Sequence, residues 1–412
     1  MDILTDRDKD FFYSAVMLNS QMNYRTLKEL IDLKVISNYR ELSDKEILED
    51  VTKGNYDLKN DTVQRIKKVL ESYNDIEKVV MEYKKIADSN SIEVVSCLDG
   101  NYPYNWMMQS GMPKVFYAKG NYALIDQMTF SGSVAVVGSR NPSKYSLYAT
   151  DQICKTLGNK GITVVSGMAY GIDRQAHLSS VNTKGGTIAV LAGGVDNIYP
   201  PSNKDIYDLI CSNGLILSEM PPGQQPLRQY FPSRNRLIAG LSDCTLIMEA
   251  GAVSGTLHTA SFAAGQGKEV FVLPNSIYYE NASGGLKLLE DGGNVLLNAD
   301  SVIDSIARTL MFKRMDMGCA GEMYYCGDDL SEFGDEANIE ALRELSKINP
   351  EALNDNDWKM LIKDALTLKP LCADDLCAVT TLPFYKISKL LTELELNGTV
   401  CQENGKYSLT FV

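Results

Sequence analysis

The sequence predicts an α/β protein built around a doubly wound, mostly parallel sheet. A small helical segment precedes the sheet and a compact helix-and-hairpin unit follows it. Three observations carry this. From residue 133 to about 300, short β-forming runs alternate with segments of helical length. Those runs are continuously apolar, as strands covered on both faces must be. Residues 1–88 instead place apolar side chains at spacings of three and four and hold almost no glycine, Gly54 excepted.

In chain order, 1–88 reads as a small helical domain, from "FFYSAVMLNS", "YRTLKELIDLKV" and "VQRIKKVLESYNDIEKVVMEYKKIA". Residues 92–120 hold two short strands around a Tyr-Pro turn. Strands are then expected at 133–138, 162–166, 187–192, 214–218, 244–249 and 269–273. Helices are expected between them at 146–160, 173–183, 203–212, 234–241 and 255–266. This places an extended Rossmann-like domain over 89–311. An acidic linker follows at 312–355. The last unit, 356–412, has helical segments and two β-prone runs joined by Asn404-Gly405, the hairpin signal of a winged helix.

Composition narrows the function. The charged fraction is 23% and no apolar stretch reaches membrane-spanning length, so no membrane span is expected. "MDILTDRDKDFF" lacks an apolar signal core and reads as a cytoplasmic start. The nine cysteines form no C-x-x-C pair, which fits reduced thiols, and two histidines cannot make a His-rich metal site. The net charge of −13 argues against a general polyanion binder. However, residues 131–300 hold 12 Lys/Arg against 13 Asp/Glu, whereas 316–360 hold 3 against 12. The acidity sits in the connector, and a local basic groove fits the centre.

Ligands of doubly wound sheets bind beyond the carboxyl ends of the strands. Glycines crowd the loops there: Gly138-Ser139-Arg140, "SGMAYGID" from Ser166 and Gly167, "AGGVDNIYPPSN", and "MEAGAVSGTLHTA" with Gly255. "FPSRNRLIAGLS" reads as a helix capped by Ser233, with Arg234 and Arg236 in its first turn. Cations there oppose the helix dipole unless an anion sits among them. Arg228 lies just upstream, with Tyr230 and Phe231 interleaved, a composition that suits single-stranded nucleic acid. The alternative is that the arginines pair with Glu219 or Glu249 and hold loops together. Phe231 before a proline is more often a core plug than a stacking platform. Asp173 is read as the cap of its helix, and His177 and His258 as packed side chains.

Enzyme chemistry finds little support: there is no Walker A loop and no G-x-S-x-G elbow. No enzyme activity and no cofactor are expected. Glu249 beside Ser254-Gly255-Thr256 resembles the glutamate and glycine loop of nucleotide N-glycosidases of the lysine-decarboxylase-like type, without their Pro-Gly-Gly-x-Gly-Thr spacing. That remains the enzyme alternative, and a winged-helix interaction scaffold is the other.

An ordered series of motifs resembles the DNA-processing protein A family (DprA, or Smf). It runs through "KVFYAKGN", "VAVVGSR", "VVSGMAYGIDRQAH", "GGVDNIYPPSN", "LSEMPPGQQP", "YFPSRNRLIAGLS", "MEAGAVSGTLHTASFAAGQGKEVFVLP" and "SGGLKLLEDGGNVL". The resemblance implies sequence-independent binding of single-stranded DNA and protection of incoming strands in natural transformation. It also implies help in loading the RecA recombinase, and a homodimer that presents one groove. By position it makes Arg140, Arg234 and Arg236 phosphate ligands. With Arg228 and, more weakly, Lys204, these are the expected DNA contacts. Ser139, Ser166, Gly167, Asn235 and Gly255 should line the same pocket, mainly through backbone amides, and Phe231 is read as a base contact. The sequence departs from the family at Pro274-Asn275, at 283–289, where the family forms part of its dimer, and at Pro201, where a basic residue is common. The last long helix sets Glu393 and Glu395 beside Lys386 and Lys389, a poor face for a DNA groove.

Overall fold

The computed structural model describes residues 4–18, 22–318, 384–396, 399–403 and 406–409, with isolated positions at 359, 362, 366, 373 and 376. The chain divides into two compact units, Met1–Ala307 and Arg308–Val412.

The first unit opens with five helices: α1 (Asp6–Leu18), α2 (Tyr24–Asp32), α3 (Lys45–Thr52), α4 (Asn60–Glu71) and α5 (Tyr73–Ser89). Short polar residues start two of them. Asn23 accepts from Thr26 N, and Asp44 accepts from Glu46 N and Ile47 N. Then follow β1 (Glu93–Ser96), α6 (Tyr104–Met107), β2 (Val115–Gly120) and α7 (Ala123–Ser131). The alternating region comprises β3 (Ser133–Gly138), α8 (Lys144–Asn159), β4 (Thr163–Ser166), α9 (Ile172–Ser180), β5 (Thr187–Val190), α10 (Lys204–Asn213), β6 (Leu215–Ser218) and α11 (Tyr230–Leu241). It closes with β7 (Cys244–Glu249), α12 (Gly255–Gly265), β8 (Glu269–Val272), α13 (Ser283–Glu290), β9 (Asn294–Val295) and α14 (Ala299–Gly318).

The strands form one nine-stranded sheet in the order β1-β2-β6-β5-β4-β3-β7-β8-β9. The pairs β1/β2 and β2/β6 are antiparallel and all the others parallel. Each of the six strands expected between 133 and 273 is present, within a residue or two at its ends. Neither α7, α13 nor β9 was expected. β9 is two exposed residues long, too short to carry any period.

Alternate residues of β2, β5 and β6 feed two different cores. On one face Tyr117, Ala189, Leu191 and Ile216 pack with Phe11, Phe12, Leu27, Ile66 and Ile76 of the first helices. On the other, Phe116, Val165, Ile188, Val190 and Leu217 pack with Trp106, Leu124, Leu237 and Ala260. The N-terminal helices thus share their core with one face of the sheet. A buried polar cluster fastens the same junction. Arg40 donates from Nε and Nη2 to the two carboxylate oxygens of Asp10 at 2.8 and 2.9 Å, and reaches Asp99 after β1 at 3.0 Å. Tyr39 donates to Asp10 at 2.8 Å, and Tyr117 on β2 donates to Ser14 at 2.7 Å. Burial pushes the Asp10 carboxyl up, and the Arg40 bonds oppose that shift.

In the second unit the described residues give α15 (Phe384–Leu396) and a hairpin of β10 (Val400–Glu403) and β11 (Lys406–Leu409), with Glu403 opposite Lys406. This is the expected last helix and Asn404-Gly405 hairpin. The acidic segment expected at 312–355 lies outside the described residues beyond 318. So do the helices expected in 356–378, apart from the isolated positions.

Removing the Arg40 side chain leaves Asp10 buried without its ion partner. Arg40→Ala should destabilise the first unit by about 3–5 kcal/mol. In urea unfolding, helix and sheet signals should move together to lower denaturant, because they report one core.

Candidate nucleic-acid interface

Parallel strands bring all their following loops to one edge of the sheet. Chain order reverses between β3 and β7, which opens a crevice there. The loop after β3 carries Ser139 and Arg140. It is set by contact with the next unit: Ile172 N donates to Ser139 O at 3.2 Å. Gly171 makes the approach possible, because at φ +72° a Cβ would lie 2.4 Å from that oxygen. Arg140 projects outward, with its guanidinium 6.0 Å from the centre of the Phe231 ring. Ser139 Oγ accepts from Asn141 N at 3.1 Å, tightening the turn.

The helix expected at 234–241 behind a Ser233 cap begins four residues earlier. α11 opens at Tyr230, and Ser233 Oγ donates to Tyr230 O within the first turn. Pro232 fits there because first-turn amides have no helical partner. Arg234 and Arg236 therefore stand in the second turn, away from the helix end where an anion would sit.

Their side chains diverge. Arg234 is 7% exposed and runs inward. Its Nη1 donates to Gly167 O at 2.6 Å and Val190 O at 2.5 Å, the carbonyls that end β4 and β5. Burial lowers its pKa to about 10, with Asp173 opposing and Arg140 reinforcing that shift, so it stays charged at neutral pH. Gly167 is glycine for this reason: a Cβ there would meet the guanidinium at 2.7 Å. Arg236 turns the other way, pairing with Glu219 and donating to Gly111 O. Two of the four arginines expected to hold phosphate, Arg234 and Arg236, are thus engaged within the chain, and Arg236 takes the loop-pairing role that was its alternative.

The "SGMAYG" loop departs from expectation in the same manner. Ser166 is fully buried and donates to Val136 O at 2.6 Å. The Gly167 amide does not face a ligand: with Ala169 N, it donates to Asp173 Oδ2, at 3.2 and 3.3 Å. Asp173 was expected to cap its own helix, but its carboxylate reaches back into the preceding loop. Burial raises the Asp173 pKa, while Arg234 and the two amides lower it. Between those amides, Met168 adopts φ +62° and donates to His177 Nε2 at 3.3 Å. His177 Nδ1 lies 2.7 Å from Thr187 Oγ1. The Gly167 and Ala169 amides thus converge on one carboxylate oxygen, as the amides of a nest do on an anion, while the Met168 amide between them turns to His177.

What remains at the surface is compact. Arg140 and Arg228 are exposed, and neither has a hydrogen bond or ion pair among the described residues. Phe231 is half-buried in the first turn of α11, beside Arg140 and three residues after Arg228 in the chain. Its ring meets Tyr199 edge-on at 5.5 Å and has the Arg234 guanidinium 5.9 Å away. Gly167, Gly193, Tyr199, Pro226, Phe231 and Arg234 line a cleft of about 10 Å³, room for one water. Asn235 and Gly255, both expected to line the pocket through backbone amides, bond to each other: the Gly255 carbonyl accepts from Asn235 Nδ2 at 3.2 Å. Lys204 is exposed and pairs with Asp208 one turn along α10 at 2.7 Å. Tyr199 stands in the strand-end loop "AGGVDNIYPPSN" but was not among the expected DNA contacts. Its signal, an aromatic in a strand-end loop before Pro200, was present.

Glu249, the centre of the enzyme alternative, is 3% exposed. It accepts from Ser143 N at 2.9 Å and Ser146 Oγ at 2.8 Å, closing the first turn of α8. His258, expected to be packed, is exposed on α12.

Comparison with known proteins agrees with this architecture. The family model of DNA recombination-mediator protein A matches residues 93–307, and that of the DprA winged helix domain matches 351–406. The chain belongs to the DNA recombination-mediator protein A family. It is 36% identical over 317 residues to Protein Smf of Synechocystis sp., covering 74% of this chain and 77% of the relative. It is 38% identical over 208 residues to DNA processing protein DprA of Streptococcus pneumoniae, covering 50% and 72%. The X-ray structure of DNA processing protein A from Streptococcus pneumoniae superposes with a TM-score of 0.57 at 29% identity, covering 74% of this chain and 98% of that one. Among the described residues no helix is long and apolar enough to cross a membrane.

Two measurements separate structural from exposed groups in this DprA-family site. Arg234→Ala should lower unfolding stability by about 3–5 kcal/mol, since it removes the charge that offsets buried Asp173 and leaves two strand-end carbonyls without their donor. Arg140→Ala and Arg228→Ala should each change it by no more than about 0.5 kcal/mol.

His177 gives a pH signature. Burial, aided by the Arg234 charge, lowers its pKa to about 3. Its stabilisation is therefore complete above the unfolded value near 6.5 and is lost as pH falls from there toward 3. Between pH 7 and pH 5 this costs about 2 kcal/mol. Urea unfolding of His177→Gln should show a correspondingly smaller loss over that range.

Proposed function

We propose that the chain binds single-stranded DNA without regard to sequence and acts as a non-catalytic recombination mediator. The observation that carries this is the exposed Arg140 guanidinium, without a hydrogen bond or ion pair among the described residues, beside the half-buried Phe231 at the carboxyl edge of the sheet, with the exposed Arg228 three residues before that ring in the chain. Guanidiniums hold phosphates and an open aromatic face stacks a base, and only an unpaired strand offers both to one small site. A duplex hides its base faces, and a cleft sized for one water admits no nucleotide into the interior. The strand lies on the rim. Membership of a recombination-mediator family supports the same reading.

Arg234 belongs to this site as a positioning residue: it holds the β4 and β5 ends and supports Phe231 from within. Arg236 fixes the loop that leads to Arg228 by pairing with Glu219. Delivery of RecA recombinase and a homodimer as the working form follow from the family resemblance and belong to the same proposal, as does a cytoplasmic location.

The test is a titration with oligo-dT across a range of salt. Affinity should fall linearly in log[salt], with a slope of about 0.7 per phosphate engaged. Arg140→Ala and Arg228→Ala should each reduce that slope by about 0.7 and weaken every sequence alike. An unchanged slope in both variants would overturn the assignment.

A further inference from the structure

The Arg140 loop leads straight into α8, and the first two turns of that helix carry an unusual surface. Tyr145 is 50% exposed and Tyr148 is 67% exposed. Neither ring has a hydrogen bond or a ring partner among the described residues. Residues 145 and 148 stand one turn apart on one helix face, with side-chain origins about 5–6 Å from each other. The opposite face, Ser146, Thr150, Cys154 and Leu157, is buried, so these tyrosines are not core residues displaced outward.

The charge of this stretch sets it apart. Residues 139–150, "SRNPSKYSLYAT", contain two cations, Arg140 and Lys144, and no acid, in a chain of net charge −13. The next acid, Asp151, is turned aside: it accepts from Ser179 at 2.8 Å and Gln175 at 3.2 Å on α9, and it pairs with Lys155 at 2.8 Å. A helix surface bearing Lys144 and two bare aromatic rings therefore follows the Arg140 loop directly in the chain.

We propose that this face is a second segment of the DNA path: the strand leaves Arg140, passes Lys144, and stacks successive bases on Tyr145 and Tyr148. The inference rests on the single-stranded DNA reading above and extends it. Phosphates meet Arg140 and Lys144, and the rings take the bases, an arrangement indifferent to sequence because every base has a π-face. The apolar area of two rings then has a ligand to cover it, and the footprint on one chain grows beyond the nucleotides held at Arg228 and Phe231.

The test compares two oligo-dT lengths, about 4 nucleotides, enough for the Arg140–Phe231 site alone, and about 16 nucleotides, enough to reach along α8. The double variant Tyr145→Ser, Tyr148→Ser should bind the short oligomer as the unaltered chain does. It should bind the long one about 10-fold more weakly, with an unchanged salt slope. Tyr145→Phe, Tyr148→Phe should keep full affinity for both, since stacking needs the ring and not the hydroxyl. Equal affinity of the serine variant for the long oligomer overturns the path, and so does an equal loss at both lengths. If Arg140→Ala leaves short-oligomer binding unchanged, the underlying reading fails as well. Thermal unfolding of the serine variant at the unaltered temperature confirms that both positions are surface.

Discussion

A single buried guanidinium organises the working edge of this protein. Arg234 comes from the second turn of α11, crosses beneath Phe231, and ends on the carbonyls of Gly167 and Val190. Parallel strands finish with carbonyls that have no further strand partner, and a cation is the natural group to gather them. The same charge compensates Asp173, whose carboxylate in turn holds the amides of Gly167 and Ala169. The loops after β4 and β5 are thereby fixed from the inside. Only with their backbones settled can Arg140 and Arg228 stay outside and unpaired, because the structural work of neutralisation is done by another residue.

Two carboxylates explain why this sheet is not a nucleotide pocket. Asp173 sits where a nest of amides would take a phosphate, and Glu249 sits at the first turn of α8, where a Rossmann-type fold usually offers its helix end to a ligand. Each supplies from within the negative charge that a bound nucleotide would bring. With both positions filled by the chain itself, a polyanion is left only the outer rim, where cations and aromatic rings are exposed.

The sheet was legible from the sequence because strands covered on both faces are continuous apolar runs bounded by glycine, and six such runs were found in register. The loop carrying Arg140 was legible for the same reason: it had to lie at a strand's carboxyl end. The direction of the other arginines was not. "RNR" encodes two second-turn positions whose side chains point to opposite sides, and the fate of each depends on distant partners, Gly167 and Val190 for one, Glu219 and Gly111 for the other. The helix start was misplaced because Ser233 is a good cap by type, while the actual start at Tyr230 has no side-chain cap at all. Asp173 misled similarly. A first-turn acid ordinarily serves its own helix, and here the left-handed Met168 turns the preceding amides toward it instead.

The shared core between the first helices and the sheet bears on how such a chain can be rearranged in evolution. Phe11, Leu27 and Ile76 lie in one cluster with Tyr117, Leu191 and Ile216, so the helices form the lining of one sheet face. A chain that lost them would turn a whole apolar layer toward water, and a chain that exchanged them would have to match that layer side chain for side chain. The N-terminal segment is therefore free to vary on its outer surface while its inner surface is bound to change in step with β2, β5 and β6.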